Sequence, residues 1–441
     1  MMYLLGVVVM VVGIAASIAL HEIGHLLPAK RFGVRCTQYM VGFGPTLWSR
    51  RRGETEYGIK AIPLGGYVRM IGMFPPRPGD AGRLRASSTG RWSQLAEQAR
   101  QESLEEVGAG DADRVFYAKP VWQRMVIMLG GPVMNLLIAV VLLTAIITGY
   151  GLPQTTPTVS SVAACAPTDV TATDCEGQPA SPAAEAGLQP GDRIVAVNGA
   201  AVDTWAEASY QIQNSPAAAV FTVQRDGQQL NLSADLVTRD RPVLSEDGTL
   251  TLDAAGEPVT APVAYLGASG SVEYVREPLS AAPGYVGTAL LETGKIFLQL
   301  PQKMVGVVEA AFGGGERDVE GPISVVGVGR VAGEVAATDL NGLTDDLTSK
   351  MVMLLSLLAS LNIALFVFNL IPLLPLDGGH VAGALWESVK RGWARLRGQP
   401  DPGPVDIAKA LPLAYSVALV LITMTVLLVY ADLVNPIRLV G

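Results

Sequence analysis

The stretch ALHEIGHLL (Ala19–Leu27) sets two histidines and a glutamate directly after LLGVVVMVVGIAASIAL (Leu4–Leu20), a run without a single charge. Ionisable groups at such depth are costly in hydrocarbon and persist where they face a protein interior or a wet cavity. His21, Glu22 and His25 therefore read as functional. H-E-x-x-H on a helix puts both imidazoles on one face, one turn apart, where they can share one Zn²⁺. The glutamate beside them is then placed to take a proton from water. The competing reading is a buried structural histidine pair.

Outward from that stretch, composition sets the class. The 441 residues are 49% hydrophobic and 16% charged, whereas soluble domains carry about 25% charged residues. An integral membrane protein with a substantial polar part is predicted. Four segments meet the requirement of roughly 20 apolar residues for a span: Tyr3–Leu27, Met125–Ile147, Met351–Leu376 and Ile407–Val429. The third is interrupted by Asn362, Asn369, Pro372 and Pro375. A cleaved signal peptide needs a basic start and a small-residue cleavage site. No Lys or Arg precedes Lys30, and HEIGH follows the run instead, so the first segment reads as a retained span.

Charge orients the spans. Lys30–Lys119 holds 15 Lys/Arg against 9 Asp/Glu, Tyr150–Lys350 holds 10 against 25, and Trp386–Lys409 holds 5 against 3. Basic loops stay cytoplasmic, so both termini and the acidic region 150–350 are expected outside the cytoplasm. A net charge of −8 argues against nucleic acid as a partner. Cys165 and Cys175 fall in the outer region, flanking a polar, turn-rich stretch. A disulfide is plausible there, with two free thiols as the alternative, while Cys36 reads as a reduced thiol on the inner side.

Between the first two spans, VGFGPTLWSRRRGETEYGIKAIPLGGYVRM (Val41–Met70) alternates like short strands with glycine turns. It begins at a membrane boundary, where non-helical backbone survives only packed in protein or lining a cavity. A strand loop dipping toward the site is expected, against an ordinary cytoplasmic hairpin. Residues 77–113 read as a solvated polar insertion. AGLQPGDRIVAVNGAAVDTW (Ala186–Trp205) closely resembles the core of a PDZ domain, placed at 158–240 as one recognisable copy. PDZ domains bind extended peptides at a sheet edge; a ligand-free β domain is the alternative. Residues 241–350 read as a β/helical linker, with a helix over Val286–Phe312 broken at Pro301.

The chain has three histidines, His21, His25 and His380, and the last stands beside Asp377 in NLIPLLPLDGGH (Asn369–His380). A catalytic zinc takes three protein ligands and keeps a fourth position for water. Asp377 is the favoured third ligand, because a carboxylate within a span needs a partner urgently; His380 is its rival.

HExxH in the first span, LDG in a later one and a PDZ-like segment between them resemble the site-2 protease family of intramembrane zinc metalloproteases, in particular the bacterial branch that cleaves anti-sigma factors. GFG (Gly42–Gly44), EYGIKAIPLGGYVRM (Glu56–Met70), GGPVMN (Gly130–Asn135) and NLIPLLPLDGGH carry the resemblance in order. It implies His21, His25 and Asp377 as ligands of one Zn²⁺ and Glu22 as general base, then acid. It further implies a membrane-re-entrant β loop in which Gly42, Phe43, Gly44, Gly65 and Gly66 meet the substrate strand. Asn135 and Asn369 would hold substrate backbone; their plain alternative is interhelical hydrogen bonding. The expected fold is thus a polytopic α-helical membrane protein of four transmembrane helices (1–30, 120–149, 351–385 and 407–430), with the re-entrant β hairpin at 41–70 within the inner loop 31–119, a PDZ domain inserted extracytoplasmically, and a cytoplasmic loop at 386–406. The expected activity is hydrolysis of single-span proteins, such as anti-sigma factors, within the cytoplasmic membrane of a bacterium. A non-proteolytic PDZ scaffold with a structural metal is the alternative, though such a site needs no base beside its ligands. A metal transporter would spread polar residues through several spans.

Overall fold

The structure is a computed structural model, and it describes all residues except 76–106, 109, 167–174, 176–177, 246–247, 254–257, 314–316, 319–320, 339–345 and 438–441. Most of the expected polar insertion lies outside the described residues. The chain divides into two compact units, Met1–Ile146 with Pro278–Gly441, and Ile147–Glu277.

The first unit opens with helix α1 (Met2–Arg31), apolar until His21 and closed by Lys30 and Arg31 in its last turn. Two long strands follow, β1 (Cys36–Arg52) and β2 (Thr55–Met70). Each folds back on itself. Gln38–Val41 pair on one side with Glu56–Ile59 and on the other with Gly66–Arg69, while Trp48–Arg52 pair with the Thr55–Ile59 run. The result is a small mixed sheet whose order is 46–52, 55–62, 36–43, 65–70, with the central 55–62 and 36–43 runs parallel and the outer runs antiparallel to them. Its bends fall at Gly42 and Gly44 (φ +96° and +82°) and at Gly65 (φ +120°), left-handed values that glycine adopts without strain. Helix α2 (Val121–Ala145) completes this half. Leu26, Ala29, Tyr39, Met70, Ile127 and Met128 form the core that joins helix to sheet to helix.

The second unit is β-rich. Its main sheet runs β10 (Ala268–Val275), β3 (Leu152–Val162), β4 (Arg193–Val197), β6 (Ala218–Arg225), β7 (Gln228–Asp235). The short β5 (Ala200–Ala201) pairs with β4, and β8 (Val237–Pro242) pairs with β9 (Thr260–Tyr265). Helices α3 (Pro182–Glu185) and α4 (Trp205–Gln213) complete it. The Asn198-Gly199 and Asp226-Gly227 turns both have two positive φ values, +51° and +83°, then +52° and +79°, the geometry that two-residue hairpins favour. Val159, Leu188, Ile194, Val197, Ile212, Phe221 and Val223 form its core. Cys165 and Cys175 are bonded, with Cα atoms 5.6 Å apart. The unit is larger than the 158–240 expected, because β10 pairs with β3 from Leu152↔Val275 onward. Only the chain to Glu277 belongs to it, so the expected linker 241–350 is divided between the two units.

The first unit resumes with α5 (Ala282–Phe312), which passes unbroken through Pro301. Proline removes one backbone donor; packing of Val307 and Ala311 against Leu428 and Ala431 holds the helix beyond it. Helix α6 (Val325–Ala337) lies on α1 so closely that a Cβ on Gly6 would stand 2.3 Å from the Ala332 carbonyl oxygen. Helix α7 (Leu347–Asn369) starts with an Asp346–Ser349 capping box, and its buried Asn362 donates to Ser17 Oγ of α1 at 2.9 Å. The third span was expected to run to 385. It ends instead at Asn369, and a separate helix α8 (Asp377–Leu396) begins at the aspartate. Pro372 and Pro375 cannot donate backbone hydrogen bonds, so the ladder stops ahead of the first and resumes only past the second. The cytoplasmic loop expected from 386 is therefore helical as far as Leu396. Helix α9 (Leu411–Val434) is last. Among the described residues, four segments are long and apolar enough to cross a membrane: Met2–Arg31, Val121–Tyr150, Leu347–Asn369 and Ile407–Val434.

Candidate metal centre

The crossing of α1 and α2 makes the site. It is built on glycine: a Cβ on Gly24 would lie 2.2 Å from Gly130 O, and one on Gly130 2.0 Å from Gly24 O. Small residues let helix backbones approach this closely within a membrane. The next glycine, Gly131, faces the imidazoles directly, and a Cβ there would stand 2.2 Å from His25 Nε2 and 2.7 Å from His21 Nε2. Any side chain at 131 would occupy the space of the histidine ligating atoms.

His25 is buried, and its Nδ1 donates to the Ile127 carbonyl at 2.8 Å. That bond leaves Nε2 with its lone pair, the tautomer a metal needs. His25 Nε2 is 3.3 Å from His21 Nε2, and Asp377 Oδ2 is 3.4 Å from each. Donors about 2.0–2.1 Å from one tetrahedral zinc stand about 3.3 Å apart. The triangle thus fits a zinc ion in both spacing and chemistry: two imidazole nitrogens and a carboxylate oxygen. Asp377 reaches it from the first turn of α8, where a helix favours negative charge. Gly378 and Gly379 let the Leu370–Leu376 loop fold against that turn; Cβ atoms on them would come within 2.4 Å of Ile371 O and 2.6 Å of Leu374 N. His380, the rival third ligand, is outside the cluster.

Glu22 is buried beside the triangle and touches the sheet, since a Cβ on Gly66 would lie 2.8 Å from Glu22 Cγ. Tyr39 donates to Ala19 O at 2.8 Å and ties the same sheet to α1. Phe43 lies nearly half exposed at the bend and stacks on Tyr67 at 6.3 Å, with Gly65 beneath its ring. Asn135 is one turn beyond Gly131 and fully buried, and among the described residues neither side-chain polar atom has a hydrogen-bond partner. Asn369 is half-buried at the end of α7. The supporting glycines Gly24, Gly130 and Gly131 were not singled out from sequence as parts of the site, although GG ahead of a span-embedded Pro-x-x-Asn was visible.

A three-donor centre with a buried carboxylate beside it, set between membrane helices, defines a membrane metallohydrolase class. The profile of Peptidase family M50 matches residues 9–400, and the chain belongs to that family. It is 35% identical over 448 residues to zinc metalloprotease Rip1 of Mycobacterium tuberculosis, with 100% of each chain covered. It is 35% identical over 457 residues to Rip1 of Mycolicibacterium smegmatis, again with 100% of each covered. It is 26% identical over 413 residues to metalloprotease MmpA of Caulobacter vibrioides, over 88% of this chain and 89% of that one.

Proposed function

We propose that this chain, a membrane zinc metalloprotease of family M50, hydrolyses peptide bonds within the transmembrane segments of single-span proteins, anti-sigma factors being the expected substrates. One observation carries the reading: His21, His25 and Asp377, from opposite ends of the chain, converge within hydrogen-bonding range of one another beside buried Glu22. Those three residues would hold the zinc. When bound, it supplies Lewis acidity, lowering the pKa of water to about 7 and polarising the scissile carbonyl. Glu22 takes a proton from the attacking water and returns it to the leaving amine. His25, oriented by the Ile127 carbonyl, holds its position through the cycle.

The substrate must also unwind. Each amide freed from a helix in hydrocarbon costs several kcal/mol unless it finds a partner. Among the described residues, the 65–70 edge of the sheet is flanked by a strand on one side alone. It can accept an unwound segment as an added strand, and Gly66 sets that edge against Glu22. Asn135, buried with unmet hydrogen-bonding capacity, is placed to hold substrate backbone on the α2 side. Basic inner loops orient the termini and the β-rich unit extracytoplasmically in a bacterial cytoplasmic membrane. That unit acts as a PDZ-type filter for substrates already trimmed outside.

Co-expression with single-span reporter substrates tests the reading. Wild type cuts within the span; Glu22→Ala and Asp377→Ala do not. Cleavage that survives Glu22→Ala removes the mechanism.

A further inference from the structure

Among the described residues, one face of α8 has no protein partner. Trp386 (58% exposed), Val389 (59%), Trp393 (57%) and Leu396 (84%) follow one another along it. At 3.6 residues per turn they share an arc of about 80°. The opposite face carries the buried Ala384, Glu387 and Ala394. There Glu387 accepts from Arg124 of α2 at 2.5 Å, from the Val405 N–H at 3.0 Å, and pairs with Arg391 at 3.0 Å. Lys390 and Arg397 flank the apolar stripe, and the Arg397 guanidinium lies 4.5 Å from the Trp393 ring centroid.

The ion pair also fixes the level of the helix. Arg124 belongs to the first turn of α2, so Glu387 pins the middle of α8 to the very start of a span. At that same end α1 finishes with Lys30 and Arg31, and Phe32 packs edge-on against Trp122 at 5.2 Å. Tryptophan with Lys and Arg at the ends of spans marks the headgroup region of a bilayer. Helix α8 does not itself span: Glu387, Lys390, Arg391 and Arg395 all lie within it. Its sole acid past Asp377 is buried and paired, so the charges beside the apolar stripe are all basic.

We infer that α8 is an interfacial helix. Its Trp386–Leu396 stripe sits at the boundary between headgroups and acyl chains, with Lys390 and Arg397 on the phosphates of anionic phospholipid. The bilayer then holds from one side, and Glu387–Arg124 from the other, the helix that presents Asp377 at its first residue.

The test uses the full chain with Val389→Cys, and separately Leu396→Cys, carrying an environment-sensitive fluorophore. Cys36 is buried and the other two cysteines are bonded, so labelling is selective. Single copies are placed in nanodiscs of phosphatidylcholine with or without phosphatidylglycerol, with labelled Gln399→Cys as the water-exposed reference. Expected are blue-shifted emission, several-fold protection from aqueous iodide, and stronger quenching by headgroup-level than by deep nitroxide lipids. Protection increases with phosphatidylglycerol, and Lys390→Gln with Arg397→Gln removes that increase. Iodide access equal to the reference overturns the inference. So does strongest quenching by deep nitroxides, which would mean a spanning helix, or shielding present only when two copies share a disc, which would mean a protein partner. Indifference to phosphatidylglycerol overturns the anionic-lipid assignment.

Discussion

At the scale of single residues, the centre depends on where carbon is missing. Gly131→Ala places a methyl where His25 Nε2 stands, at 2.2 Å. Neither backbone nor imidazole can yield without spoiling the donor triangle. Gly131→Ala is expected to lose bound zinc, measured as metal per chain by mass spectrometry. Gly149→Ala, which meets nothing within 4 Å, keeps it. Glu22 acts differently, being no member of the triangle. Glu22→Gln should retain zinc yet lose at least about 10²–10⁴-fold in cleavage rate, the usual worth of a general base; Asp377→Asn should lose both. Equal zinc loss in Glu22→Gln and Asp377→Asn would contradict the division of roles.

At the scale of elements, each unit has its own electrostatic hinge. In the β-rich unit, Asp192 is buried ahead of β4 and paired bidentately with Arg225 of β6 at 2.6 Å. Burial opposes ionisation of Asp192, but the Arg225 guanidinium and the Gln189 N–H together hold its carboxyl below the ordinary aspartate range. A depressed folded pKa adds stability that is fully present above the unfolded value of about 3.9. That stability is lost as pH falls through the lower folded value. The protection of amides in β4 and β6 of the full chain, relative to their intrinsic exchange rates, should therefore fall below about pH 4 in wild type. Asp192→Asn should exchange faster at neutral pH and show a flatter acid response. In the helical unit, Arg124–Glu387 joins α2 to α8 with both partners buried. Removing one partner of such a pair strands a charge and costs about 3–5 kcal/mol. Glu387→Gln, which keeps one acceptor for Val405, should destabilise less than Glu387→Ala in thermal melts.

At the scale of the whole molecule, a zinc ion held by residues 21, 25 and 377 would cross-link the two sequence segments of the helical unit. A ligand at 100 times its dissociation constant stabilises by about 2.7 kcal/mol. Chelation should accordingly lower the melting temperature of the helical unit in wild type and leave His25→Ala unmoved. A chelator effect of equal size in His25→Ala would place the metal elsewhere. The β-rich unit begins and ends at neighbouring points, since the Glu277 N–H donates to Ile147 O at 3.1 Å. Replacing residues 151–275 with a short Gly/Ser bridge should preserve zinc binding and allow cleavage of substrates with untrimmed ectodomains. Excising 158–240 alone removes the end of β3 that pairs with Ala268–Gly270, together with β4, β6 and β7, and strands the rest of β3 and β10 without their sheet, so that variant should misfold.

Hydropathy and the HExxH and LDGG spacings were enough to read four apolar segments and a membrane metalloprotease and to nominate His21, Glu22, His25 and Asp377, which the structure brings together, because each is a local pattern with a local physical cost. The separate helix beginning at Asp377, the doubled-back sheet and the outer unit's true ends were not legible. Each depends on which backbone runs beside which: two prolines three positions apart do not say where a new helix starts, and period-2 alternation does not say which strands pair. The glycines at 24, 130 and 131 make the same point. A missing Cβ has no signature along the chain, and only the crossing of α1 and α2 turned it into the space that the donor triangle occupies.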